Sequence, residues 1–243
     1  MTCRIAWTIL IALSMGLAGC SDSPSQPQSH RYPQDREQEA QLAALCLSGE
    51  LRPPAELSLR VQADLARIRE DFGRRYAVLD SVEFAPPWVP GCLILYIDAG
   101  TARLIRDDEY SAWNELNLRF RVSRIDTNRI ERGWVVVWSP QLLHPRRMAG
   151  SYGALPGVTG VESNGFGGDG PRIYPRSTGD EHTYLFRNAW GDCLAGCGFS
   201  EYWYFATAGG VVRFLGRWSP EGSADPPAWW DDAMQNIELY RQW

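Results

Sequence analysis

The order of hydrophobic patterns between Cys92 and Ser163 constrains the fold most. The run "CLILYID" at 92–98 is continuously apolar, as in a strand buried on both faces. "RDDEYSAWNELNL" at 106–118 sets Tyr110, Trp113 and Leu116 or Asn117 along one helical face, with Asp107 or Asp108 near the cap. "RFRVSRID" at 119–126 alternates, and "GWVVVWS" at 133–139 is apolar and β-branched, so both read as strands. The two-residue period puts Val135 and Val137 on one face and Trp134, Val136 and Trp138 on the other. "HPRRMAGSYGAL" at 144–155 reads as a short helix with Pro145 in its first turn. "LPGVTGVES" then turns at Pro156 and Gly157 into another strand.

The order is β-α-β-β-α-β, a ferredoxin-like arrangement, with both helices expected on one face of an antiparallel sheet. Before it, residues 35–48 read as one helix closed by Gly49. Residues 53–73 read as a second, with Leu57, Val61, Leu65, Ile68 and Phe72 on one face. Residues 75–84 suggest a strand, and "PPWVPG" at 86–91 a break. After it, "HTYLFRNAW", "SEYWYFATA" and "VVRFLGRWS" read as strands, "AGG" at 208–210 as a hairpin turn, and the segment after "PPAWW" as a short amphipathic helix. The expected class is α+β: a helical region 35–90, a ferredoxin-like unit 91–163 and a β-rich region 164–243.

The chain opens "MTCRIAWTILIALSMGLAGC". Arg4 precedes an apolar run and small residues, the layout of a secretory signal peptide. The run is too short to span a bilayer, which takes about 20 residues. Leu-Ala-Gly-Cys at 17–20 resembles the lipobox of bacterial lipoproteins. The resemblance implies cleavage after residue 19, acylation of Cys20 and a membrane anchor. Ser21 in place of Asp implies, by the same resemblance, the outer membrane, facing the periplasm. "SDSPSQPQSHRYPQ" at 21–34 is too polar to fold and reads as a tether reaching about 20 Å as a flexible coil. His30 lies in it.

The formal net charge is −5, with no lysine and no clustered basic face, so nucleic acid is not an expected partner. An exported domain with Cys46, Cys92, Cys193 and Cys197 suggests two disulfides out of three possible pairings. Cys193 and Cys197 enclose only Leu-Ala-Gly, a turn short enough to bridge, which leaves Cys46 with Cys92.

The unit ending in "LPGVTGVE" resembles the subtilisin-propeptide and protease-inhibitor family, which implies the same βαββαβ fold and a protease partner. Here the chain continues instead into "NGFGGDGPRIYPRSTGDEHTYLF". The stretch from "NGFGGDG" through "GDCLAGC" to "YW" resembles a set of secreted bacterial proteins with similar glycine, aspartate and cysteine spacing, implying a shared fold.

Catalytic signatures are missing: no Gly-x-Ser-x-Gly elbow, Walker sequence or HExxH. "GFGGDG" lacks the lysine of a P-loop and reads as a tight loop. Asn164, Asp169, Asp180 and Glu181 are candidate calcium ligands. His182, Cys193 and Cys197 are a zinc alternative, and a redox-active Cys-x-x-x-Cys another. Asp169, Asp180, Glu181 and His182 are the candidate centre of a hydrolase. His144, before Pro145, reads as a helix cap or surface residue. The expected function is a non-catalytic envelope lipoprotein presenting a binding module, without cofactor and with a possible protein partner. The alternatives are a protease-inhibitor-like module and a hydrolase.

Overall fold

The computed structural model describes residues 35–165, 169–191, 193, 196–222 and 225–243. The signal segment, Cys20, the tether and residues 166–168 of the glycine-rich loop lie outside the described residues.

Two helices come first. α1 (Arg36–Ser48) is capped by Asp35, whose carboxylate accepts the Gln38 N–H at 2.7 Å, and Gly49 closes it in the left-handed conformation. α2 (Ala55–Phe72) starts after Pro54 and stops at Gly73. Between them lies a buried ion pair. Both Nη atoms of Arg69 donate to the two oxygens of Glu39 at 2.8 Å. Glu39 also accepts the Phe84 N–H at 3.0 Å, and Arg69 donates to the Leu79 and Val82 carbonyls. These bonds correct the expected strand at 75–84. The backbone groups a strand would pair laterally are taken by two side chains, and Ala77–Asp80 is a 3-10 turn.

The ferredoxin-like unit follows. β1 (Trp88–Ile97), α3 (Ala99–Arg106), α4 (Asn114–Arg119), β2 (Arg124–Asp126), β3 (Trp134–Trp138), α5 (Pro145–Tyr152) and β4 (Val158–Gly165) form an antiparallel sheet in the order β2-β3-β1-β4. Leu93, Leu95, Ile97, Val135 and Val137 pack with Ala102, Phe120, Met148 and Tyr152, so the helical layer lies on one face. Three boundaries differ from expectation. β1 begins at Trp88 and takes in residues 88–91 of the supposed break. The helix expected at 106–118 is two: Asp98 caps α3 through the Thr101 N–H, and Asp108, at φ 58°, ends that segment. The strand expected at 119–126 is formed only at 124–126, because Phe120 still belongs to the end of α4 and Arg121 turns at φ 50°. At Gly157, a Cβ would stand 1.7 Å from Thr101 Oγ1, so the turn into β4 requires glycine.

A second sheet, in the order β5-β6-β7-β8, joins β5 (Arg172–Thr178), β6 (Glu181–Trp190), β7 (Phe199–Ala208) and β8 (Val211–Trp218). The sequence pattern missed β5 because Pro175 interrupts it; an edge strand tolerates that proline. α6 (Trp230–Gln242) covers one face. Its fully buried Asn236 donates to the Tyr174 and Thr183 carbonyls at 2.8 and 3.2 Å. The other face, with Tyr184, Phe186 and Phe205, meets α1 and α2 in one shared core. The helical region 35–90 and the β-rich region 164–243 are therefore one structural layer pair, with the ferredoxin-like unit inserted between them in sequence.

The expected Cys46–Cys92 bridge is not formed; both are buried free thiols. Cys46 packs in the core under α1, while Cys92, on β1, accepts from Asn164 Nδ2 at 3.4 Å. Burial raises both thiol pKa values, that of Cys92 to about 11. In the folded protein neither thiol is expected to react with a thiol reagent, and both should label on unfolding without reductant. A 46–92 linked peptide would contradict this. Glu39→Ala leaves a guanidinium buried without its carboxylate. Chemical denaturation is expected to show a loss of about 3–5 kcal/mol.

Candidate functional site

Cys193 and Cys197 are disulfide-bonded in the connection from β6 to β7. The bridge is tied down from outside the hairpin. Asp169 donates its backbone N–H to the Cys193 carbonyl at 2.9 Å, and its carboxylate accepts the Cys197 N–H at 3.3 Å. The same carboxylate accepts the Gly170 N–H at 2.9 Å and the Arg187 Nη2 at 2.7 Å. Arg187, with further help from those amides, holds the Asp169 carboxyl well below the usual carboxylate range. Asp169 is thus a clamp for the disulfide loop.

The other candidates lie elsewhere. Asp180 sits in the β5–β6 turn, where its carbonyl accepts from Arg60. Glu181 pairs with Arg213 across the sheet. His182 is buried beneath α2, its Nδ1 3.0 Å from Asp64 Oδ2 and 3.2 Å from the Tyr184 hydroxyl, which itself donates to Asp64 at 2.8 Å. His182 and Arg187 point to opposite faces of β6, since side chains alternate along a strand. Asp169 and His182 therefore cannot share a substrate. The hydrolase centre and the zinc set do not assemble: the two sulfurs are bonded to each other and the imidazole is on another face. The calcium set does not assemble either, with Asn164 on Cys92 and Asp169 on Arg187. Among the described residues no group of three or more histidine, cysteine or acidic side chains could hold a metal ion.

His144 is the N-cap position of α5 but makes no side-chain cap bond, and it is buried with its ring 4.8 Å from that of Trp88. Burial, with Arg146 and Arg147 adding, pushes its pKa down to about 4. It is neutral at physiological pH.

Sequence reasoning missed Asp64. Its signal was present: an acidic residue between Val61 and Leu65 on the apolar face of α2 needs a buried partner. Its pKa is lowered: against the desolvation that opposes it, the hydrogen bonds from His182 and Tyr184 favour the carboxylate.

Two surfaces stand out by exposure. At the outer end of β6 and β7, Trp190 and Phe199 face each other across the strands, stacked at 5.9 Å, and are 45% and 48% exposed. On sheet β2-β3-β1-β4, the face turned away from the helices carries Ile94, Tyr96, Trp134, Val136 and Trp138. All five are half-buried and belong to neither core. The continuous apolar run of β1 had implied burial on both faces; here the second face is open. Tyr96 donates its hydroxyl to Glu162 at 3.0 Å, and the Arg124 guanidinium lies 4.8 Å from the Trp138 ring centre.

Comparisons with known protein families, curated proteins and solved structures give no match.

Asp169→Ala is expected to lower stability by about 2 kcal/mol, the scale of hydrogen bonds to a charged group. Because the folded pKa lies below the ordinary value of 3.8, this contribution is present above that pH and lost as pH falls through the folded pKa. Thermal unfolding of parent and variant should therefore differ at neutral pH and converge in strong acid.

Proposed function

We propose that this chain is a lipid-anchored protein of the bacterial cell envelope, held in the outer membrane through Cys20. Its folded part works as a non-catalytic interaction module. The carrying observation is the open face of sheet β2-β3-β1-β4. Five apolar side chains, three of them aromatic, sit side by side across its central strands without joining a core. Large aromatic groups flanked by a polar rim are the composition of a protein-binding surface. Arg124 and Glu162 supply such a rim and would fix the register of a partner without dominating the affinity.

The lipobox resemblance at 17–20 supports the anchor. A protease is one partner class suggested by the βαββαβ resemblance. Against a propeptide-like mode, the chain leaving β4 enters β5 at Arg172 and is not a free tail.

Two measurements test the reading. Cys20→Ser is expected to move the protein from the membrane to the soluble fraction, and intact mass of the parent should show acyl chains. A parent cut elsewhere and unacylated would refute the anchor. For the surface, a photo-crosslinking residue at Val136 should capture a discrete protein adduct in living cells. The same residue at the exposed Leu118 should not. Equal labelling from both positions, or none from Val136, would refute the binding face.

A further inference from the structure

The point where the tether joins the folded domain and the exposed aromatic pair lie at the same end of the second sheet. α2 traces the direction. Its Arg60 donates to the Asp180 carbonyl in the β5–β6 turn. One turn later Asp64 meets His182 and Tyr184. Arg69 then lies 5.9 Å from the Phe186 ring centre, and past the end of the helix the Tyr76 ring stands 6.1 Å from that of Trp203. The first three contacts step from the β5–β6 turn toward Trp190, and Tyr76 meets Trp203 at the level of Phe186, its register partner, while Phe72 packs on Phe205 one row back. The start of α1 sits at this leading end: Arg36 donates to the Asp80 carbonyl at 2.7 Å, and Glu39 holds Arg69 and the Phe84 N–H. Asp35, where the tether arrives, is thus placed toward the Trp190–Phe199 end.

The pair also shares the layer of these helices. The cross-strand pairs Tyr184–Phe205, Phe186–Trp203 and Trp190–Phe199 are in even register on one face of the sheet. The aromatic row contacted by α2 and the segment after it stops at Phe186 and Trp203. Trp190 and Phe199 lie four residues farther, about 13 Å at the rise of a strand. On the face of the pair Arg217 is matched with Glu201, while the Glu221 carboxylate is held by the Ser219 hydroxyl and the Ser200 N–H. Paired charges lower the cost of bringing this end against a low-dielectric surface.

We infer that Trp190 and Phe199 dock into the headgroup region of the bilayer that holds Cys20, seating the domain end-on at the membrane. The inference rests on the lipid-anchor reading. Indole and phenyl rings favour the membrane–water interface. The tether keeps the pair at high local concentration near the surface, so a contact too weak to recruit a free protein is sufficient. The disulfide and the Asp169 clamp fix Cys193 and Cys197 beside the pair, which lowers the ordering cost of docking there.

The test uses the purified full-length acylated protein reconstituted in phosphatidylcholine vesicles whose acyl chains are brominated near the headgroup. Bromine quenches tryptophan fluorescence at short range. The parent should be quenched, and Trp190→Phe should lose most of that quenching while still floating with the vesicles. Phe199→Ala should reduce it, with near-ultraviolet circular dichroism confirming the fold of both variants. Flotation with equal quenching in parent and Trp190→Phe overturns this inference and leaves the anchor intact. Failure of the acylated parent to float overturns the anchor reading and this inference with it. Trp190 protected to the same degree in vesicle-free protein, in proportion to protein concentration, would assign the pair to a second copy of the chain and also overturn it.

Discussion

The Glu39–Arg69 pair is the contact on which the N-terminal layer depends. Two charges are taken out of water, which costs several kcal/mol for each ion unless geometry repays it. The repayment is a two-pronged fork at 2.8 Å plus three backbone groups from the segment after α2. One side of the fork fixes α1, the other fixes α2, and the backbone bonds fix the connecting segment that leads to β1. Arg69 also lies against Phe186, so the same side chain meets the second sheet. An apolar core alone would let α1 slide along α2, since its buried stripe of alanines and leucines offers little shape to lock. The ion pair allows one register.

The second sheet is closed by two different chemistries. On one face aromatic rings pack against α2, and the Asp64–His182–Tyr184 cluster sits among them. On the other, one amide of α6, Asn236, bonds two strands at once. Each buried polar group gains specific partners, which makes misaligned packing of either helix expensive. Among the described residues the first sheet has no such second cover, and its outer face keeps its aromatic side chains half in solvent.

Much of this architecture was legible in the sequence where periodicity was clean. The two-residue period separated Val135 and Val137 from Trp134, Val136 and Trp138, and the structure puts the first set on the helix side, while the βαββαβ pattern anticipated the antiparallel sheet with its helices on one face. Legibility failed where side chains replaced the backbone's usual partners. Leu79, Val82 and Phe84 look like a strand because they are buried, yet Glu39 and Arg69 take their main-chain groups. Pro175 hid β5 because a proline cannot donate, a rule that an edge strand relaxes. The cysteines divided by range. A four-residue separation carries its own geometric limit, so 193–197 could be read locally. Cys46 and Cys92 depended on which core each strand and helix joined, which no spacing reports. The candidate chemistry around Asp169 and His182 looked contiguous because the residues are close in sequence. The alternation of β6 sends them to opposite sides.

The separation of α1 and α2 from their sheet by the inserted ferredoxin-like unit has a consequence in time. A chain delivered N-terminus first presents its two amphipathic helices long before β6 and β7 arrive. The inserted unit, whose core is formed almost wholly by its own residues, can close meanwhile. The helices keep an apolar face waiting for strands not yet delivered. The last helix arrives later still, so the second sheet is covered on both sides only after residue 237 is free to pack. Assembly of this domain is therefore gated by α6, and the waiting interval is when it most needs a chaperone.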